Sequence, residues 1–460
     1  MNFAQKQSAA FYESTQAIRW LIWVYFALLL LEGALRKWVV PSLANPLLIV
    51  RDPVVIAIYI ICFARGAFPE DKLVSWTVGL GILSFLISLF AGTGNLLVSI
   101  YGWRTDFLHL PLIFVMAKVL RPSDVRGLCI ALLLSAVPMA ILVLAQFKAG
   151  PDAWVNVGVG GGEGGQLDVG FGKIRPPGTF SFTNGLANYL ALVSSCLLYA
   201  VIGKKYYPKL VLAGAVPAVL LMLVISGSRA AVSAAAISVG FLVLICLRRP
   251  GYITGSFKFA ILALPGLWVI SNMPVFQEGV MVHTARFGEN GGGIQHGIIE
   301  RALGDYIDGF KALDGTPFLG YGLGLGTNAA AGLLGGERGF LLAEGEWARV
   351  VKEGGLVFGF GFLLLRTLIT AYLAVMGFWG LEQKRPLGLL IFSSCFLLVL
   401  AGQFGQPTAL GFASFGAGLA LAATNDEPQK EPEDEITAAP VSTGTVMRGR
   451  SIHAEILHRG

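Results

Sequence analysis

The sequence predicts an all-α, polytopic membrane protein of about twelve transmembrane helices, with a large polar loop between the ninth and the tenth. Three observations predict it. The 460 residues are 55% hydrophobic and only 13% charged, with a mean hydropathy of +0.69. A soluble domain carries about 25% charged residues, so a water-facing surface of ordinary size cannot be made from this chain. Apolar runs approaching the roughly 20 residues that a bilayer-spanning helix needs recur along it, and basic residues gather in every second turn between them.

The expected spans lie near 18–34, 47–64, 73–91, 105–120, 127–147, 183–202, 208–226, 230–247, 257–273, 354–379, 386–402 and 408–423, and the short stretch 92–104 is open to a re-entrant form. The first apolar run continues into a full span with no small-residue cleavage site, so a cleaved signal peptide is not expected. With the N-terminus in the cytoplasm, the inner turns hold Arg65 and Lys72; Lys118, Arg121 and Arg126; Lys204, Lys205 and Lys209; Arg248, Arg249 and Lys258; Lys384 and Arg385. Each is basic, as the orientation rule for loops demands. Both termini are then cytoplasmic, residues 1–424 form the membrane domain, and the Pro- and Glu-containing tail 425–460 is expected to be disordered, since it cannot bury a core. The net charge of +6 is spread over these turns and is no nucleic-acid signal. Cys62, Cys129, Cys196, Cys246 and Cys395 all fall in apolar runs and read as buried small hydrophobes, not metal ligands.

Polar groups collect on the other side. Outer turns hold Arg36, Lys37, Arg51, Arg104, Lys173, Arg175 and Arg229, and the stretch Val275 to Glu353 adds Arg286, Arg301, Arg338, Arg349, His283, His296 and several carboxylates. For any one arginine the alternative is headgroup anchoring or pairing with a loop carboxylate. Together they suit an anionic ligand, because guanidinium groups match phosphate geometry.

Four motifs stand out. Arg175-Pro176-Pro177-Gly178-Thr179-Phe180, followed by Asn184, opens the sixth span. It is either a well-capped helix start, with Thr179 or Ser181 as cap, or an anion site beside helix N-terminal amides. Ser226-Gly227-Ser228-Arg229-Ala230-Ala231 joins two spans with almost no turn, leaving Arg229 to snorkel or to bind. Gly320-Tyr321-Gly322-Leu323-Gly324-Leu325-Gly326 lacks the preceding strand and the following Lys-Ser/Thr of a nucleotide loop and reads as a loop shaping a site. Glu346, Arg349 and Glu353 share a helical face, either as a salt-bridged helix end or with one glutamate as a general base. Arg366, midway along the tenth span, is functional or faces the bundle.

In this order the motifs resemble the bacterial O-antigen ligase and O-antigen polymerase superfamily, over roughly residues 170 to 380: the Arg-Pro-Pro-Gly-Thr-Phe turn with Asn184 and Ala187, Ser-Gly-Ser-Arg-Ala-Ala, then Gly-Tyr-Gly-Leu-Gly in a long outer loop, then Glu353-x-Gly355. The resemblance implies a GT-C-like membrane glycosyltransferase that uses an undecaprenyl-pyrophosphate-linked glycan. Arg175, Arg229 and Arg301 would hold the donor pyrophosphate, with Asn184 and Arg349 also binding substrate. Ligases of the family carry His-Asn about nine residues before the Glu-x-Gly glutamate, where this chain has Glu344-Gly345. That departure puts ligation onto lipid A-core in doubt and leaves a polymerase or exopolysaccharide role, with Glu344 or Glu346 as catalytic base. The expected partners are the lipid-linked donor, a glycan or lipid-linked acceptor and membrane lipids, with no nucleic acid, metal or cofactor. The alternative is a transporter or flippase of an anionic lipid-linked glycan or solute, which predicts charges through the full depth of several spans.

Overall fold

The computed structural model describes residues 11–92, 94–162, 168–170, 173–203, 206–253, 271–288, 304–327 and 345–425. Helix α1 (Gln16–Ala34) continues through a π turn, Leu35–Val39, and two short 3-10 turns lead to α2 (Asp52–Ala64). Then come α3 (Lys72–Phe90), α4 (Leu96–Trp103), α5 (Leu110–Val119) and α6 (Pro122–Lys148). A minimal antiparallel pair, β1 (Asp168–Gly170) and β2 (Lys173–Ile174), precedes α7 (Thr183–Ile202), α8 (Lys209–Ile225), α9 (Arg229–Arg248) and α10 (Pro274–Gly288). The chain resumes with α11 (Glu346–Gly354), a π turn at Gly355–Gly359, α12 (Phe360–Glu382), α13 (Leu387–Ala401) and α14 (Pro407–Ala423).

Among the described residues, seven helical stretches are long and apolar enough to cross a membrane: Gln16–Val39, Pro46–Ala64, Lys72–Phe90, Pro122–Lys148, Thr183–Ile202, Arg229–Arg248 and Glu346–Glu382. Helices α8, α13 and α14 are apolar but shorter. One expectation changes. The stretch 92–104 holds α4, which runs through a π turn, Arg104–Leu108, to His109 and α5. The span expected at 105–120 is correspondingly the second half of that broken helix. Pro111 sits in the first turn of α5, where a missing N–H costs nothing. The span expected at 257–273 falls mostly outside the described residues, as do the tail beyond 425 and the loop residues Arg301, Arg338, His296 and Glu344.

The centre of the bundle is α14, buried at every position from Ala409 to Ala423 and packed on α13 and α5. Its glycines permit this. A methyl at Gly416 would stand 3.0 Å from Cys395 Cβ, and one at Gly418 would stand 2.6 Å from Met116 Sδ. Between apolar helices, close van der Waals approach through small residues replaces the hydrophobic drive that lipid cannot supply.

The turns sort onto two opposite ends. At one, Lys118 Nζ donates to Phe68 O at 2.9 Å, Arg126 Nε to Tyr206 O at 2.7 Å and Arg385 Nη1 to Thr424 O at 3.2 Å. At the other, Arg36 reaches Ser181, Lys37 reaches Gly178, Leu323 reaches Ser88 and Phe404 reaches Glu346. The polar core of the protein lies at this second end.

Candidate functional site

The Arg175–Phe180 turn is held by α1 and α6. Two prolines set its extended course, and Gly178 turns with φ at +61°. Gly178 N donates to Gln146 Oε1 at 2.8 Å, while Gly178 O accepts from Lys37 Nζ at 2.7 Å. Thr179 Oγ1 donates to Leu30 O at 2.6 Å and Ser181 Oγ accepts from Arg36 Nη1 at 2.9 Å. Both hydroxyls, one or other of which is the expected cap, are engaged by α1 and the π turn that follows it. The N-cap of α7 is Phe182, with no side-chain bond to the helix. Gly33 is what lets the turn approach, since a side chain there would overlap Thr179 O. Arg175 itself is part-exposed, and its buried Nε has no hydrogen-bond partner. Arg229 is the first residue of α9, half-buried and without a hydrogen bond or ion pair among the described residues; its neighbour Ser228 caps the helix through Ala231 N at 3.3 Å.

Glu346 and Arg349 are buried and paired. Glu346 is 2% exposed, and its carboxylate is fully engaged. Its Oε1 accepts from Arg349 Nη2 at 2.9 Å, Arg366 Nη1 at 3.0 Å and Phe404 N at 3.1 Å; its Oε2 accepts from Arg349 Nε at 3.0 Å. No lone pair is left facing a solvent-filled space, so the geometry gives Glu346 the work of holding two arginines. Arg349 spans three carboxylates, adding Glu353 at 3.0 Å and Asp106 at 2.7 Å. Its donors meet these protein carboxylates. Arg366, fully buried, also donates to Leu398 O, Val399 O and Gly402 O. Those carbonyls end α13, where a helix leaves acceptors unpaired and a cation is favoured.

The Gly320–Gly326 loop wraps the remaining carboxylate. Gly324 N and Gly326 N each donate to Glu353 at 2.8 Å. Successive amides of a glycine-rich turn make an anion cradle, and here the anion is the chain's own glutamate. Gly102 admits the loop by offering no side chain against Gly324.

A second buried network lies beside the first. Asp52 takes Arg104 at 2.6 Å and His109 Nε2 at 3.0 Å; His109 Nδ1 meets Tyr25 Oη at 2.9 Å. Arg51 then pairs with Glu32 at 3.2 Å, and Glu32 with Arg36 at 3.5 Å. Arg104 and Asp106 leave one π turn in opposite directions, one into each network. Arg51 and Arg104, expected among the ligand-facing arginines, are thus neutralised internally. The carboxylates Glu32, Asp52 and Asp106 were the unread signal: acidic residues inside apolar runs require buried partners.

Next to Arg36 opens a cavity of about 610 Å³. Arg36, Asn45, Tyr101, Asn184 and Gln406 contribute its polar wall, and Leu48, Ile49 and Phe182 part of its apolar wall. Of the expected site residues, Asn184 lines this cavity, Arg175 and Arg229 stand without ion-pair partners at the same end of the bundle, and Glu346 and Arg349 are internal. Arg301 and Glu344 lie outside the described residues. Among the described residues no group of His, Cys, Asp and Glu is arranged to hold a metal ion. No protein-family model matches the chain, and no curated protein matches it.

Proposed function

We propose that the chain is a glycosyltransferase of the O-antigen ligase and polymerase kind, in a polymerase or exopolysaccharide role. It would sit in a bacterial inner membrane with about twelve spans, both termini cytoplasmic, and act on the outer face. The donor is an undecaprenyl-pyrophosphate-linked oligosaccharide and the acceptor a sugar hydroxyl. One observation carries the reading: two arginines without an ion-pair partner among the described residues, Arg175 and Arg229, stand at the same end of the bundle as an open cavity lined in part by Asn45, Asn184 and Gln406. Chemistry on a lipid-linked sugar needs this one-sided arrangement. The buried charges beneath it pair with one another at that same end and do not run through the bundle, which favours surface chemistry over translocation.

In the transfer, the acceptor oxygen attacks the anomeric carbon while its proton passes to a carboxylate, and the bond from that carbon to the pyrophosphate oxygen breaks. The leaving pyrophosphate is stabilised by Arg175 and Arg229, with Arg301 from the loop, so no metal is called for. Glu344 is the base of choice, because Glu346 is occupied by Arg349 and Arg366. A gel of surface and secreted polysaccharide from a deletion strain tests the reading. Wild type should restore long chains; Glu344→Gln, Arg175→Ala and Arg229→Ala should leave single repeat units. Full rescue by both arginine variants, in well-inserted protein, would overturn it.

A further inference from the structure

The groove between α2 and α3 lies at the opposite end of the bundle from the candidate site, and the transfer reading gives it no work. It encloses about 720 Å³. The turn joining the two helices is drawn inward by Lys118 Nζ, which donates to Phe68 O at 2.9 Å, and Asp71 Oδ1 starts α3 by accepting from Leu73 N at 2.7 Å. Its apolar lining includes Phe63 and Phe68, stacked with centroids 4.2 Å apart, and Trp76. Its charged lining is Glu70, Asp71 and Lys72, which leaves an excess of negative charge. Phe63 and Trp76 are 66% and 56% exposed, so nothing in the described chain covers them.

The chain itself leaves the bundle close to this groove. Asn425 Nδ2 donates to Ala117 O at 3.5 Å, and Ala117 precedes the Lys118 that holds Phe68. Further along, the sequence carries Ile452, Ile456 and Leu457 among Arg448, Arg450 and Arg459, with Glu455 as the one carboxylate of that segment. Ile452 and Ile456 are four apart and Leu457 follows, the spacing at which apolar residues share one face of a helix. Apolar residues and arginines in one short segment match an apolar groove with excess negative charge. Residues 426–445 separate Asn425 from Val446, and a flexible coil of that length spans about 25 Å. One lysine side chain and its neighbour separate the exit from the groove, well inside that reach. A tether of this kind raises the local concentration of the segment to about the millimolar range. The acidic run Glu431–Glu435 also attracts arginines, but it has no Val, Ile, Leu or aromatic side chain to set against Phe63 and Trp76. An anionic phospholipid headgroup is repelled by Glu70 and Asp71.

We propose that the groove between α2 and α3 is the docking site of the chain's own segment Val446–Arg459, with Ile452, Ile456 and Leu457 against Phe63, Phe68 and Trp76 and the arginines toward Glu70 and Asp71. The assignment rests on the groove, the exit point of the chain and the charge pattern, and not on glycosyl transfer.

The test puts the photoreactive residue p-benzoylphenylalanine in place of Ile456 in the full chain, with a specific protease site inserted between Pro440 and Val441. Purified protein in lipid nanodiscs is irradiated, cleaved and run on a denaturing gel. A cross-linked segment stays with the membrane domain after cleavage, and mass spectrometry locates the bond. The bond should fall within residues 63–79, at a yield independent of protein concentration. Trp76→Ala should lower that yield about tenfold, the scale of a lost aromatic contact surface. Glu70→Lys should lower it roughly two- to fivefold, the scale of an exposed ion pair. Both side chains are exposed, so neither change disturbs the packing of the bundle. Combining Glu70→Lys with Arg448→Glu and Arg450→Glu should recover the yield. Absence of a bond, a bond elsewhere in the chain, or a bond within 63–79 that both single variants leave unchanged overturns the proposal. Bonds formed only between copies, rising with concentration, overturn it and give the groove to a second chain; bonds to phospholipid alone overturn it and leave the groove to lipid.

Discussion

Glu346 Oε1 lies 3.0 Å from Arg366 Nη1, joining the short helix before the π turn at Gly355–Gly359 to the second turn of the helix after it. Arg366 also donates to backbone carbonyls at the end of α13 and lies over the Phe404 ring at 3.8 Å. Removing one partner of a buried pair leaves an uncompensated charge, at a cost of about 3–5 kcal/mol. Glu346→Ala should therefore lower the melting temperature in detergent by many degrees. A variant that melts like wild type yet makes no polymer would return Glu346 to the role of base.

Gly324 holds φ at +87° and lies against the backbone of Val98 and Gly102. An alanine there meets both backbone strain, about 1–3 kcal/mol, and a steric clash. Gly324→Ala should release the loop from Glu353 and expose residues 320–327 to limited proteolysis. Gly315 has a similar φ, +78°, with nothing within 4 Å, so Gly315→Ala should show only the milder strain. Equal protease resistance in both variants would remove the cradle from the account.

Asp305 lies in the helical segment 304–311, outside the spans. Burial first, then the charges of Glu346 and Asp308, push its carboxyl above the usual range, against a smaller opposing effect of Arg366. The native state therefore holds this proton more tightly than the unfolded chain does. Its contribution is favourable in acid and is lost as pH rises from the unfolded pKa through the raised one. Asp305→Asn should flatten that part of the melting-versus-pH curve and raise stability near neutrality. A steeper curve in the variant would reverse the sign.

Lys118, Arg126, Arg249 and Arg385 hold turns at one end of the bundle, and that end is expected to face the cytoplasm. A green fluorescent protein fused after Gly66 should fluoresce, and alkaline phosphatase fused after Gly160 should be active. The opposite pattern would invert the protein and move the cavity to the cytoplasmic side.

Much of the scaffold was legible because a span is a local property. The starts of α6, α7, α8 and α9 fall close to the apolar runs that announce them. The broken helix α4–α5 was not legible. Arg104 and Asp106 interrupt the apolar pattern where a charged turn would be read, yet both side chains turn inward to partners. The spacing of Glu346, Arg349 and Glu353 correctly announced a paired face, and it is the pairing, carried further by Arg366 and Asp106, that occupies them.

What the sequence by itself determined is a mostly helical chain, with helices long and apolar enough to cross a membrane, whose polar groups gather in particular turns. Hydropathy over about 20 residues sets a helix's solvent without reference to the rest of the chain. Which charges neutralise each other, and which are left for a ligand, only the tertiary structure decided. Arg349 meets Asp106 across 243 positions and Arg36 meets Ser181 across 145. A guanidinium reads the same in sequence whether it faces a buried carboxylate or an open cavity. The packing of α1, α7 and α14 is what separates Arg36, with a free nitrogen at the cavity, from Arg366, enclosed in the core.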